Sequence, residues 1–220
     1  MPRAFLLSRM IPDKHCNAQE CTKLFVNQLV VTYMKQRNII WRGLDDYCTL
    51  ENCMVTLGER VNSVSSIVLG VIDNVPFRVN YVLHADTMWR ITSFDVNYQL
   101  GNNAHRVNYK IDTRGNWSNN GIQYPLYCEC VAIDISVTPF TNTLAVKPLN
   151  LSVGESKSIT VLYIDIVEHN TATKKQTYTR LEDNVYRFET EDGNFVANIE
   201  FDTDMLVKKY DSLFERVYCG

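Results

Sequence analysis

Apolar and polar residues alternate with a period of two through most of the chain. Phe77, Val79, Tyr81 and Leu83 are interleaved with Arg78, Asn80 and His84, the alternation broken only at Val82. Phe94, Val96 and Tyr98 alternate with Ser93, Asp95 and Asn97, and Val107, Tyr109 and Ile111 with Arg106, Asn108, Lys110 and Asp112. The pattern recurs for Val131, Ile133, Ile135 and Val137 against Cys130, Ala132, Asp134 and Ser136. It recurs again for Phe195, Ala197, Ile199 and Phe201 against Val196, Asn198 and Glu200. Successive side chains of a strand point to opposite faces, so each run predicts a strand with one buried face. Turn signals separate the runs: Asp73-Asn74, Gly101-Asn102-Asn103, Arg114-Gly115, Asn120-Gly121, Val153-Gly154-Glu155, Asp183-Asn184 and Asp192-Gly193. Their near-hairpin spacing predicts an antiparallel meander in which each strand pairs mainly with its sequence neighbour.

Two segments depart from the alternation. Ile67, Leu69 and Val71 oppose Val68 and Ile72, and Ile159, Val161, Tyr163 and Val167 oppose Leu162, Ile164 and Ile166. Strands apolar on both sides suit a sheet covered on each face. Two arrangements supply the cover: further packed layers, or a curved sheet whose concave face lines an apolar cavity. The first 38 residues read differently. Leu24, Phe25, Leu29, Val30, Tyr33 and Met34 roughly share one helical face, which predicts a helix over 22–37; Val26, Val30 and Val31 weaken it. The division expected is an N-terminal extension, 1–38, and one β domain, 39–220.

Composition supports the β reading. Val, Ile and Thr make up about a quarter of the 220 residues, joined by 12 Tyr and 9 Phe, all suited to a pleated, half-buried surface. Nine Gly and six Pro are few for so many turns, so Asn and Asp must take the left-handed positions. A net charge of −3 argues against a nucleic-acid partner bound by bulk positive charge. No run of apolar residues is long enough to span a membrane. Seven cysteines, Cys16, Cys21, Cys48, Cys53, Cys128, Cys130 and Cys219, with no secretory signal ahead of them, point to reduced thiols and a cytoplasmic location. The spacings Cys16/Cys21 and Cys48/Cys53 are poor for zinc, and no metal or cofactor is expected.

Catalytic motifs are missing: there is no nucleophile elbow, phosphate-binding glycine loop or His-Glu-x-x-His. His84 with Asp86 at a strand end could form a base and its orienting carboxylate. Asp134 with Ser136 and Thr138 could line a pocket, or form a satisfied polar cluster. The commoner role of Asp86 is to stabilise a turn.

Several strings taken in order carry a resemblance. They are Ile40-Trp41-Arg42-Gly43-Leu44-Asp45, Pro76 to Tyr81, His84-Ala85-Asp86, Trp89-Arg90 and Gly115-Asn116-Trp117. The most specific follows, Asp134 to Leu144 with its Ser-Val-Thr-Pro-Phe-Thr-Asn-Thr-Leu run. Gly154-Glu155-Ser156, Tyr178 to Leu181 and Tyr210 to Val217 complete the set. From about Ile39 to Tyr218 the chain resembles the putative glycolipid-binding family. The resemblance implies a mainly all-β fold, a strongly curved antiparallel sheet forming an incomplete barrel similar to lipoprotein carriers. It brings no catalytic set.

Together these readings lead to a non-catalytic binding protein whose partner is a glycolipid or other amphipathic small molecule held in the concave face. The candidate ligand-binding residues are Trp89, Arg90, Trp117, Asp134, Ser136, Thr138, Phe140, Asn142, Leu162, Ile164, Tyr178 and Arg180. Two alternatives stay open: a hydrolase or isomerase using His84, Asp86 and Asp134 in the same trough, and a protein-interaction module.

Overall fold

The computed structural model describes residues 35–45 and 47–220. Its first eight strands form a meander: β1 (Lys35–Gly43), β2 (Leu50–Leu57), β3 (Val61–Ile72), β4 (Val75–Asp86), β5 (Ile91–Leu100), β6 (Asn103–Ile111), β7 (Trp117–Asn119) and β8 (Ile122–Gln123). After a 3₁₀ turn at Pro125–Tyr127 comes β9 (Cys130–Ile135), then helix α1 (Thr141–Val146) and a second 3₁₀ turn. A second meander follows: β10 (Ser156–Asp165), β11 (Asn170–Arg180), β12 (Val185–Thr190), β13 (Val196–Phe201), β14 (Val207–Tyr210) and β15 (Phe214–Cys219). The fifteen strands of the described residues join one sheet, in the order β8 to β1, then β15 to β9. The two meanders meet where β15 pairs with β1, and every pairing is antiparallel except β9 with β10.

The curvature follows from this order. β8 and β9 lie at opposite ends of the sheet, yet only residues 124–129 join them. Six residues reach at most about 20 Å, so the sheet must roll until its ends approach one another. The result is one strongly curved sheet, not closed into a barrel, as the family resemblance implied.

Asn and Asp make only some of the turns: Asp73, Asn74, Asn120 and Asn150 are left-handed, but so are five glycines and Cys48, Trp89, His169, Met205 and Ser212. Asp73 and Asn74 are both left-handed, with φ of 49° and 63°, the backbone of a tight two-residue hairpin. The carboxylates of Asp86, Asp112, Asp165, Asp192 and Asp202 each accept the backbone N–H two residues on. Such bonds satisfy a turn's backbone, at Asp112 and Asp192 beside the left-handed Gly115 and Gly193.

The one-faced strands bury the side expected of them: Phe77, Val79, Tyr81 and Leu83 face the core, as do Phe94, Val96 and Tyr98. Other expectations change. The strand from Val61 is covered on one face only, with Val64, Val68 and Ile72 buried and Ile67, Leu69 and Val71 about half exposed outside. β9 does not bury the single face assigned to it: Ala132, Ile133 and Ile135 are buried while Val131 is exposed. It is a parallel strand covered on both sides, joined to its partner β10 by a crossover rather than a hairpin. β10 is two-faced as expected, since Val161 on one side and Leu162, Ile164 and Ile166 on the other are fully buried. The helix over 22–37 lies mostly outside the described residues, as do His15, Cys16 and Cys21. Its last three positions, Lys35 to Arg37, are strand and pair with Val55 to Leu57.

Candidate functional site

The crossover from β9 to β10 shapes the interior. Pro139 has no N–H and cannot extend the ladder, so the chain leaves β9 and turns into α1. All six residues of α1 are buried, and Phe140 and Leu144 enter the core. A buried helix start needs partners for its backbone. The Thr138 hydroxyl accepts the Phe140 N–H at 3.1 Å, and the carbonyls of Pro139 and Phe140 accept the N–H groups of Asn142 and Thr143. The Thr141 hydroxyl accepts the N–H of Ile135, at the end of β9, at 3.4 Å.

Beside this crossover the concave face opens into a cleft of about 690 Å³. Its floor is polar. Asp134 on β9 accepts the Thr141 hydroxyl at 2.8 Å on one oxygen and the Gln176 amide at 2.7 Å on the other. Burial pushes the Asp134 carboxyl up, against these two bonds, which lower it. Ser136, Thr138 and Asn142 share the lining. Tyr178 stands behind them, fully buried, its hydroxyl donating to Asn142 Oδ1 at 3.0 Å. The walls are aromatic. Tyr163 stands on β10 beside Asp134, and burial, then the Asp134 charge, raise its phenol. Phe188, Phe195, Tyr210 and Phe214 form a connected row, with neighbouring ring centroids 5.8 to 6.4 Å apart. Thr190, Asp192, Asn194, Lys174 and Lys175 stand at the mouth.

The cleft therefore gathers Asp134, Ser136, Thr138 and Asn142, with Phe140 and Tyr178 packed behind. Leu162 and Ile164 lie elsewhere: they share the opposite face of β10 with Ile133 and Ile135 and are completely buried. Trp89 is buried against Phe140 with the Lys147 ammonium 4.8 Å from its ring, while Arg90 is exposed and paired to Asp86. Trp117 packs against Phe94, Tyr109 and Tyr127. Arg180 lies over Tyr186 and donates to three backbone carbonyls, those of Leu151, Glu182 and Asp183.

His84 and Asp86 do not converge on Asp134. His84 points out from the exposed face of β4. Asp86 ties its own turn, accepting the N–H groups of Met88 and Arg90 and the Arg90 guanidinium. Among the described residues no cluster of three or more His, Cys, Asp or Glu could hold a metal ion, and the five described cysteines are free thiols. No helix among them is long and apolar enough to cross a membrane.

One group escaped the sequence reading. Glu51 on β2 is 2% exposed, and its carboxylate accepts hydroxyls from Ser66 at 2.6 Å, Tyr81 at 2.5 Å and Thr138 at 2.6 Å. Among the described residues no cation pairs with it. Burial pushes it up to about 7, against the three hydroxyl bonds. The bond to Thr138 fastens the start of the crossover to the first meander. The signal was there: Glu51 falls on the same side of its strand as Cys53 and Val55. A lone carboxylate among apolar neighbours nevertheless reads as a solvated position.

The family described as putative glycolipid-binding matches residues 38–216. A crystal structure of a DUF1089 family protein from Pseudomonas aeruginosa is similar, with a TM-score of 0.69 and 27% identity over 76% of this chain and 92% of that one. No curated protein matches the chain.

Proposed function

The chain belongs to the putative glycolipid-binding family, and from that premise and the cleft's geometry we propose that it binds the sugar end of an amphipathic ligand without transforming it. One observation carries the reading. A carboxylate held in place from both sides, Asp134 between Thr141 and Gln176, lies below a wall formed by Tyr163, Phe188, Phe195 and Tyr210. Sugar hydroxyls need acceptors and donors of fixed direction, which Asp134, Gln176 and Asn142 offer. The apolar face of a pyranose needs a flat ring to cover it, which the wall offers. An acyl chain alone would be poorly served by so polar a floor, because the buried polar groups would lose their partners from water. The concave face is mostly packed with side chains and α1, so the ligand's tail is left toward the open mouth.

Native mass spectrometry of the gently purified protein tests the reading by looking for a co-purifying glycolipid. Calorimetry with short-chain glycosides follows, on the wild type and on Asp134→Asn and Tyr163→Ala. Each substitution is expected to weaken binding at least about tenfold, the equivalent of one charge-assisted hydrogen bond or one ring contact. Binding of plain alkyl probes in preference to glycosides, unaffected by either substitution, would refute it.

A further inference from the structure

The rolled sheet keeps a seam without strand pairing between the β5–β8 side and the β9–β11 side, across which β5 lies near β9. One end of that seam is closed by the chain itself through residues 124–129. Elsewhere three stacked rings span it. Tyr98 on β5 and His105 on β6 are register partners. His169 reaches them from the β10–β11 turn, where it holds a left-handed φ of 52°. The His105 and His169 centroids are 4.2 Å apart with planes 18° from parallel. Tyr98 stacks on both, at 5.1 Å from His105 and 5.7 Å from His169. Among the described residues neither imidazole has a side-chain hydrogen-bond partner to hold it there, and His169 Nδ1 is buried without one.

We infer that the Tyr98–His105–His169 stack is a proton-operated clasp across the open seam. Two neutral imidazoles and a phenol stack flat. One imidazolium still lies favourably on a neutral ring. A second proton sets two unit charges face to face at 4.2 Å, where they repel. This repulsion favours the open arrangement, in which the rings part and water hydrates each cation.

The surrounding charges do not cancel this. Asp165 and Glu168 belong to the same turn as His169, and Asp165 acts on Tyr98 through its charge. Across the turn, Tyr47 is in the field of Asp45, Asp73, Asp165 and Glu168. Asp165 is committed to the N–H groups of Val167 and Glu168, and neither it nor Glu168 hydrogen-bonds to either ring. These carboxylates can balance one imidazolium but leave the face-to-face pair in place. Opening reaches the cleft because Tyr163 and Asp165, just before the turn, line it. The clasp stands on the seam's geometry and requires no particular ligand.

Hydrogen–deuterium exchange on the whole protein, corrected for the intrinsic pH dependence of exchange, tests it. Peptides covering 165–170 should exchange at least about tenfold faster near pH 5 than near pH 7.5, the span across which histidine changes charge. His105→Phe keeps a three-ring stack with a single ionisable imidazole and should hold the turn closed at both pH values. Equal exchange in the wild type, or an acid-induced rise that survives in His105→Phe, would overturn the inference. A second variant covers the case in which His105→Phe fails to fold. His169→Asn keeps the left-handed turn and removes the ring. It should show the fast rate at both pH values, and a persisting pH dependence there would also overturn the clasp.

Discussion

Glu51→Gln is the substitution with the most to reveal about how this fold is held. A buried carboxyl raised from its ordinary 4.5 to about 7 prefers its neutral form in the folded protein. The sign follows from proton linkage. The unfolded chain gives up this proton near pH 4.5 and the folded protein only near pH 7. The group's contribution is therefore fully present below about pH 4.5 and is lost as pH rises through about 7. At about 1.36 kcal/mol per pH unit, the wild type should lose about 3 kcal/mol from this group between pH 4.5 and pH 8.

Glutamine cannot ionise, yet it can keep the network. Its oxygen accepts from Ser66 and Tyr81, and its amide donates to the Thr138 oxygen, which already accepts the Phe140 N–H. The Thr138 hydroxyl proton can then turn toward the Tyr81 oxygen 3.3 Å away. Urea denaturation followed by circular dichroism at the two pH values is the assay. The variant should match the wild type near pH 4.5 and exceed it by about 3 kcal/mol near pH 8, a gain of about 10 °C in Tm for a domain of this size. If the difference between the two proteins were the same at both pH values, or if the variant were the weaker one at pH 8, burial would not be setting the protonation of Glu51.

Two further outcomes are expected. Ile164→Ala, on the packed face of β10, should cost about 2–5 kcal/mol through lost burial and the cavity left behind, and Ile164→Asp should fail to fold, as read by circular dichroism. If Ile164→Asp folds, that face is not the dry core the packing describes. A chain beginning at Met34 should retain a cooperative thermal melt; isolation only as an unfolded or insoluble polypeptide would make the first 33 residues part of the core.

What the sequence by itself determined is the set of strands with one apolar face, and with them the fold class. Phe77 to Leu83 and Phe94 to Tyr98 carry their orientation in the alternation, because a pleated strand sends neighbouring residues to opposite sides. The Asn and Asp turns were legible for the same local reason, since a short polar side chain satisfies backbone two residues away. Asp134, Ser136, Thr138 and Asn142 could be found as a polar run at the end of an apolar strand. The floor of the cleft was therefore visible while its aromatic wall was not. Phe188, Phe195, Tyr210 and Phe214 come from four stretches of chain that adjoin only once the second meander is laid strand by strand.

Tertiary structure alone decided which apolar face is covered. Ile67, Leu69 and Val71 look no different in sequence from Leu162, Ile164 and Ile166, yet the first three are half exposed and the others are sealed. Burial on the second face depends on what the curved sheet wraps around. That is a long-range placement with no local period to announce it. Glu51 is the same lesson in reverse: its isolation from water, and so its protonation, is made by Ser66, Tyr81 and Thr138, residues brought from 15, 30 and 87 positions away.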